Sequence, residues 1–180
     1  MRLIIHKAFF AWNFEKEEKW LNAMSAKGLQ LVHAGFFRYV FEENSKERYV
    51  YRLELLDKLP SHYESVSYLH FLEETGVEHV DSFLRWVYLR KNVKDGNFQI
   101  YSDISSKIKH YKRILFLLLA ITPVKVISVI NMSLRYSETG DPFFLVTGVL
   151  CFLLVSLLTV GLFNISRKIR RLNRDKYVNE

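Results

Sequence analysis

The sequence predicts an α+β protein: two strand-helix-strand-strand units in a soluble domain, followed by a two-helix transmembrane hairpin. Three observations predict it. Short alternating apolar runs and two helical windows share the first 95 residues. A block around Gly28 recurs around Gly76, 47 to 48 residues later. Residues 142–166 then carry no charge at all.

Residues 3–10 read as a first strand. Asn13 is placed to cap a helix over 14–27, with Glu15 and Glu17 in its first turn, where the helix dipole favours acids. Phe14, Trp20, Leu21 and Met24 form its apolar face, and Gly28 suits the stop. Residues 29–33 and 36–43 follow as a strand pair around a turn near Ala34-Gly35. The pattern then repeats. Residues 47–56 read as a strand with Tyr49, Tyr51, Leu53 and Leu55 on one face. Ser61-His62-Tyr63-Glu64 has the form of a capping box, opening a helix to Thr75 that Gly76 stops. Residues 77–82 and 84–91 close the second unit. Phe37-Arg38-Tyr39-Val40-Phe41 is answered by Leu84-Arg85-Trp86-Val87-Tyr88.

This domain, 1–95, leads through an amphipathic basic linker at 96–113 to the apolar third of the chain. In the linker, Phe98, Tyr101, Ile104, Ile108 and Tyr111 recur at three- and four-residue steps, with lysines opposite. That pattern predicts a helix lying at a membrane interface or packed on the domain. Transmembrane helix 1 is expected over 114–132, an extracytoplasmic loop over 133–141, transmembrane helix 2 over 142–166 and a basic cytoplasmic tail over 167–180. A helix needs about 20 apolar residues to cross roughly 30 Å of hydrocarbon. The second span meets this outright. The first contains Pro123 and Lys125, but its Leu, Ile, Val and Phe residues outweigh a lysine that costs about 3 kcal/mol. Lys125, seven residues before Met132, either snorkels to the far interface or faces a partner's helix. Neither span has a GxxxG pair.

The net charge of +7 is unevenly distributed. The soluble part is close to neutral. The excess lies at Lys107, Lys109, Lys112 and Arg113, before the first span, and at Arg167, Lys168, Arg170, Arg171 and Arg174, after the second. The positive-inside rule therefore places both termini in the cytoplasm of a multi-pass protein, expected in the cell inner membrane. Tyr111, Tyr136 and Phe143 stand where interfacial aromatics belong. The N-terminal apolar stretch is too short for a secretory signal, so the first span is expected to serve as an uncleaved anchor. A nearly neutral folded domain also argues against nucleic acid as a partner.

Catalytic signatures are missing. The six histidines form no HExxH or zinc-spaced pair, and the single Cys151 rules out an intrachain disulfide. No GxSxG, P-loop or GxGxxG occurs. No metal, no cofactor and no enzyme activity are expected. The arginine-aromatic repeat is the strongest candidate chemistry. Tyr39, Phe41, Tyr51, Trp86 and Tyr88 could form an apolar wall for a small molecule, with Arg38, Arg52, Glu54 and Arg85 as polar anchors. The other reading has the aromatics filling the core and the arginines facing solvent.

Duplicated strand-helix-strand-strand domains commonly pair their sheets about a pseudo-dyad. The pattern resembles the gyrase-inhibitory-protein-like effector-binding fold, which implies an aromatic-lined cleft for small molecules. Along the chain, FFAWNFEKEEKWLNAMSAKG, YVYRLELL, FLEETGVEHV, RWVYLRK and SDISSKIKHYKRI, in that order, resemble the bacterial family known as domain of unknown function 2812. The resemblance spans residues 7–114. It implies C-terminal membrane spans in many members and genes near PadR-type repressors, and it carries over no catalytic residue. The expected function is that of a membrane-anchored sensory or accessory protein. Its cytoplasmic domain would bind a small apolar or cationic ligand or a regulatory partner. The alternative is a structural subunit of a larger membrane complex, such as a transporter, with Lys125 in the contact.

Overall fold

The computed structural model describes residues 2–101 and 103–179, in two compact units that divide after Ser102. In chain order the elements are β1 (Arg2–His6), α1 (Phe14–Ala26), β2 (Leu29–Ala34), β3 (Arg38–Glu43), β4 (Tyr49–Leu55), α2 (Tyr63–Glu74), β5 (Glu78–Phe83), β6 (Trp86–Asn92), α3 (Ile104–Thr139) and α4 (Pro142–Asn179). Ser102 of the expected linker and Glu180 of the expected tail lie outside the described residues.

The first unit contains two antiparallel three-stranded sheets of identical topology, β1-β3-β2 and β4-β6-β5. The last strand of each strand-helix-strand-strand unit sits in the middle. The likeness extends to irregularities. β2 bulges between Leu31 and His33, and β5 between His79 and Asp81. Gly28 and Gly76 follow the two helices at the same φ of 79°, a left-handed conformation that only glycine enters without a steric cost.

Alternation divides sheet β4-β6-β5 between two cores. Tyr49, Tyr51, Leu53 and Leu55 of β4 are all buried and share a face with Trp86 and Tyr88 of β6, because Leu53 is registered with Tyr88 and Leu55 with Trp86. The opposite face presents Val87 and Leu89 to Leu69 of α2, together with Leu56, Val77 and Phe98. Phe98 and Ile100, two residues apart, both pack into this cluster. That corrects the expected amphipathic helix across 98–103. Residues 98–101 are non-helical, and the helix begins at Ile104, where Asp103 accepts from the Ser106 N–H.

Helix α1 seals the open edge of β4. Ser25 Oγ accepts from Tyr49 N–H at 2.9 Å, Asn22 Oδ1 from Tyr51 N–H at 2.7 Å and Glu18 Oε1 from Leu53 N–H at 2.8 Å. Positions 18, 22 and 25 lie on one helix face and match alternate strand residues. Side chains thus replace a missing neighbour strand. Two further helix starts differ from expectation. α2 is capped by His62, whose Nδ1 accepts from the Glu64 N–H, rather than by Ser61. Asn13 occupies the N-cap position of α1 without a side-chain capping bond.

The second unit is an antiparallel helical pair. α3 has 36 residues and α4 has 38, both long and apolar enough to cross a membrane. Each spans about 55 Å at 1.5 Å per residue, well beyond roughly 30 Å of hydrocarbon. The helices absorb segments expected outside them: α3 includes most of the 133–141 loop, and α4 continues through the basic tail. The turn between them is Gly140-Asp141, with Gly140 left-handed and its N–H bonded to Tyr136 O. Registration is fixed by Arg135 over the Phe144 ring, by Gly148 facing Met132 and by Lys168 over the Tyr111 ring. Lys125 lies half-buried on α3, two residues after Pro123.

Candidate functional site

The site begins with a charged residue in the wrong place for solvent. On α1 the buried positions are Phe14, Glu17, Leu21, Met24 and Ser25, so Glu17 falls on the apolar stripe at helical spacing. Glu17 is only 7% exposed. Two hydroxyls converge on its Oε1: Tyr39 of β3 donates at 2.6 Å and Tyr88 of β6 at 2.7 Å. One tyrosine comes from the middle strand of each sheet. Among the described residues, no cationic side chain pairs with this carboxyl.

Electrostatics follow from the burial. Loss of water raises the Glu17 pKa above the ordinary carboxylate range, against the opposing pull of the two hydroxyl bonds. Burial and then the adjacent Glu17 charge push both tyrosine hydroxyls well above their usual range, so they remain donors. A buried carboxyl of this kind is relieved either by a proton or by a cation.

Around Tyr39 lies an aromatic rim. Trp20 meets Tyr39 edge-on at 4.9 Å and Phe41 at 5.5 Å between ring centroids. Phe9 lies 5.5 Å from Trp20 and 6.2 Å from Tyr39. Phe9 and Trp20 are partly exposed, whereas Tyr39 and Phe41 are buried. The Lys7 ammonium rests over both outer rings, 5.3 Å from Phe9 and 4.8 Å from Trp20. The rim already carries a cation on its faces.

The expected site residues divide. Tyr39 and Tyr88 meet at Glu17, and Phe41 and Trp20 pack alongside. Trp86 sits on the same sheet face, against Phe14 at 5.7 Å. Tyr51 has a structural role: its hydroxyl accepts from Leu31 N–H at 2.9 Å and donates to Gln30 at 3.2 Å. Arg52 and Glu54 project to the opposite face of β4, and Glu54 accepts there from Tyr68 at 2.8 Å. Arg38 and Arg85 do not occupy matching strand positions. Arg38 opens β3 and is exposed, while Arg85 lies in the β5–β6 turn and donates to Leu56 O. Lys125 belongs to the second unit. Glu17, Phe9 and Lys7 were not anticipated. The signal for Glu17 was its place between Phe14 and Leu21 in the apolar stripe.

The family model described as protein of unknown function (DUF2812) matches residues 13–122. The chain belongs to this family. No curated protein and no solved structure matches it. The DUF2812 match begins at the start of α1 and runs into α3, so it takes in Glu17, Tyr39 and Tyr88.

Proposed function

We propose that this DUF2812 chain is a membrane-anchored sensory or accessory protein whose N-terminal domain binds a small apolar cation at the Glu17 site. The observation that carries this reading is the buried carboxyl held by Tyr39 and Tyr88, with the partly exposed Phe9 and Trp20 packed on the Tyr39 ring. An organic cation has two requirements, apolar cover and a counter-charge, and this arrangement offers both. A ligand would take the place of the Lys7 ammonium on Phe9 and Trp20 and draw the proton off Glu17. Rearrangement around α1, which also seals β4, gives a route from occupancy to the rest of the domain.

The anchor in this reading is α3 and α4, crossing the membrane as a hairpin. Lys107, Lys109, Lys112 and Arg113 and the arginines from Arg167 onward would hold both ends on the cytoplasmic side. Binding is tested on the full chain in detergent or nanodiscs, with benzyltrimethylammonium and its uncharged isostere neopentylbenzene. The cation should bind and the isostere bind far more weakly. Glu17→Gln should abolish the preference, and equal binding of both compounds by the parent chain rejects the reading.

A second reading is favoured by one observation, the lone Lys125 within the apolar stretch of α3. Here the hairpin docks into a larger membrane complex and Lys125 meets a partner acid. Cross-linking in native membranes should recover one dominant partner, lost with Lys125→Leu. Unchanged recovery rejects this role.

A further inference from the structure

The two hairpin tips of the first unit are both two-residue turns and are apolar where solvent would favour polar residues. At the β2–β3 tip, Gly35 and Arg38 exchange backbone hydrogen bonds around Phe36-Phe37. At the β5–β6 tip, Phe83 and Trp86 pair around Leu84-Arg85. Phe36 is 71% exposed and Leu84 is 70% exposed. The tips lie together, with Phe36 4.1 Å from Phe37 and 6.1 Å from Phe83 of the other hairpin.

Both tips also adopt an unfavourable backbone conformation. Phe37 and Leu84 have φ of 57° and 56°, the only non-glycine residues at positive φ among those described. A side chain there costs roughly 1–2 kcal/mol, and turns elsewhere relieve it with Gly, Asn or Asp. Folding alone gives no reason for bulky apolar residues at these two points. The surface they form is compact, apolar and shared by both hairpins.

Charge identifies the occupant. At the tips Arg38 is exposed and Arg85 donates to Leu56 O, while the nearest acid, Asp81, is already engaged by the Ala34 N–H and the His33 ring. Lys7 is joined to the same place, its N–H donating to Phe37 O at 3.0 Å. A second copy docking through this patch would bring arginine against arginine. An anionic lipid surface would accept both the aromatic wedge and the basic margin. The chain also carries two helices long and apolar enough to place it at a bilayer.

We propose that Phe36, Phe37 and Leu84 insert into the interfacial layer of an anionic leaflet, with Arg38 at the headgroups. This rests on the membrane-anchor reading and is independent of any ligand at Glu17. The rim residue Lys7 adjoins the tip, so a lipophilic cation could reach Phe9 and Trp20 from the bilayer side.

The test uses the full chain carrying Cys151→Ser, reconstituted in nanodiscs of phosphatidylcholine with or without phosphatidylglycerol. Single cysteines at Phe36→Cys, Leu84→Cys or, as control, exposed Phe71→Cys on α2 receive an environment-sensitive fluorophore. In phosphatidylglycerol discs the labels at 36 and 84 should shift to the blue. They should be quenched several-fold more strongly by shallow nitroxide lipids than the label at 71. Arg38→Glu should reduce that quenching. If labels at 36 and 84 behave like the label at 71 while the chain resists alkaline carbonate extraction, the inference is overturned and the anchor stands. Extraction by carbonate overturns the anchor, and the inference with it. Label burial that follows protein density and not lipid composition identifies a second copy and also overturns it.

Discussion

Tyr39 and Tyr88 stand on the central strands of two different sheets and donate to the same oxygen, Oε1 of Glu17, at 2.6 and 2.7 Å. The two hairpins are thereby tied to α1 through one atom. A hydrogen bond to a charged group contributes about 1.5–3 kcal/mol, and less to a neutral one. Tyr39→Phe and Tyr88→Phe should each lower the unfolding free energy of the first unit by about 1–2 kcal/mol. The double variant should depart from additivity, because the groups share a network. A double-mutant cycle by chemical unfolding checks this.

Glu17 sets a pH dependence. Its folded pKa is raised by burial, so the native state holds its proton more tightly than the unfolded chain. Stability should fall as pH rises from the ordinary carboxylate range through the raised folded value, and recover on acidification back through that window. Glu17→Gln should remove this slope. Thermal unfolding of both chains across mildly acidic to neutral pH reads it directly, and an unchanged slope in Glu17→Gln would assign it to other groups.

Asn22 carries the seal on β4. Its Oδ1 accepts from Tyr51 N–H at 2.7 Å, and its Nδ2 donates to Tyr51 O at 3.2 Å. Asn22→Ala leaves that edge N–H without its partner and should cost about 1–3 kcal/mol. Amide exchange at Tyr51 should accelerate more than at Val87, in the sheet interior.

Leu84 offers the opposite sign. It is exposed and left-handed, and asparagine tolerates that conformation better. Leu84→Asn should stabilise the first unit by about 1 kcal/mol while weakening contact with anionic bilayers. The pair of changes separates folding from surface function.

Much of the fold was legible because periodicity reports burial. Tyr49, Tyr51, Leu53 and Leu55 alternate as expected and are all buried. The same alternation already separated Arg52 and Glu54 from Tyr51, so grouping them in one site went against the pleat. Glu17 was obscured for a physical reason: an acid in a helix's first turn is also what the dipole favours, and that account competes with burial. Phe98 fits a helical reading with Tyr101 and an extended one with Ile100 over so short a run, and only the α2 core distinguishes them. Arg85 could not be placed because the two hairpins turn around different residues, Phe36-Phe37 and Leu84-Arg85. The convergence of Tyr39 and Tyr88 depends on how the sheets meet. At that junction the Ala34 N–H donates to Asp81 Oδ2, 47 residues away, and no local pattern encodes such a contact.

The most direct test of the Glu17 site is proton linkage on binding. Calorimetric titration of the full chain with benzyltrimethylammonium, in two buffers of different ionisation enthalpy, should show proton release that grows as pH falls toward the carboxylate range. Affinity should rise with pH, and Glu17→Gln should show neither effect. Cation binding with no proton released and no pH dependence would contradict a buried carboxyl as the counter-charge.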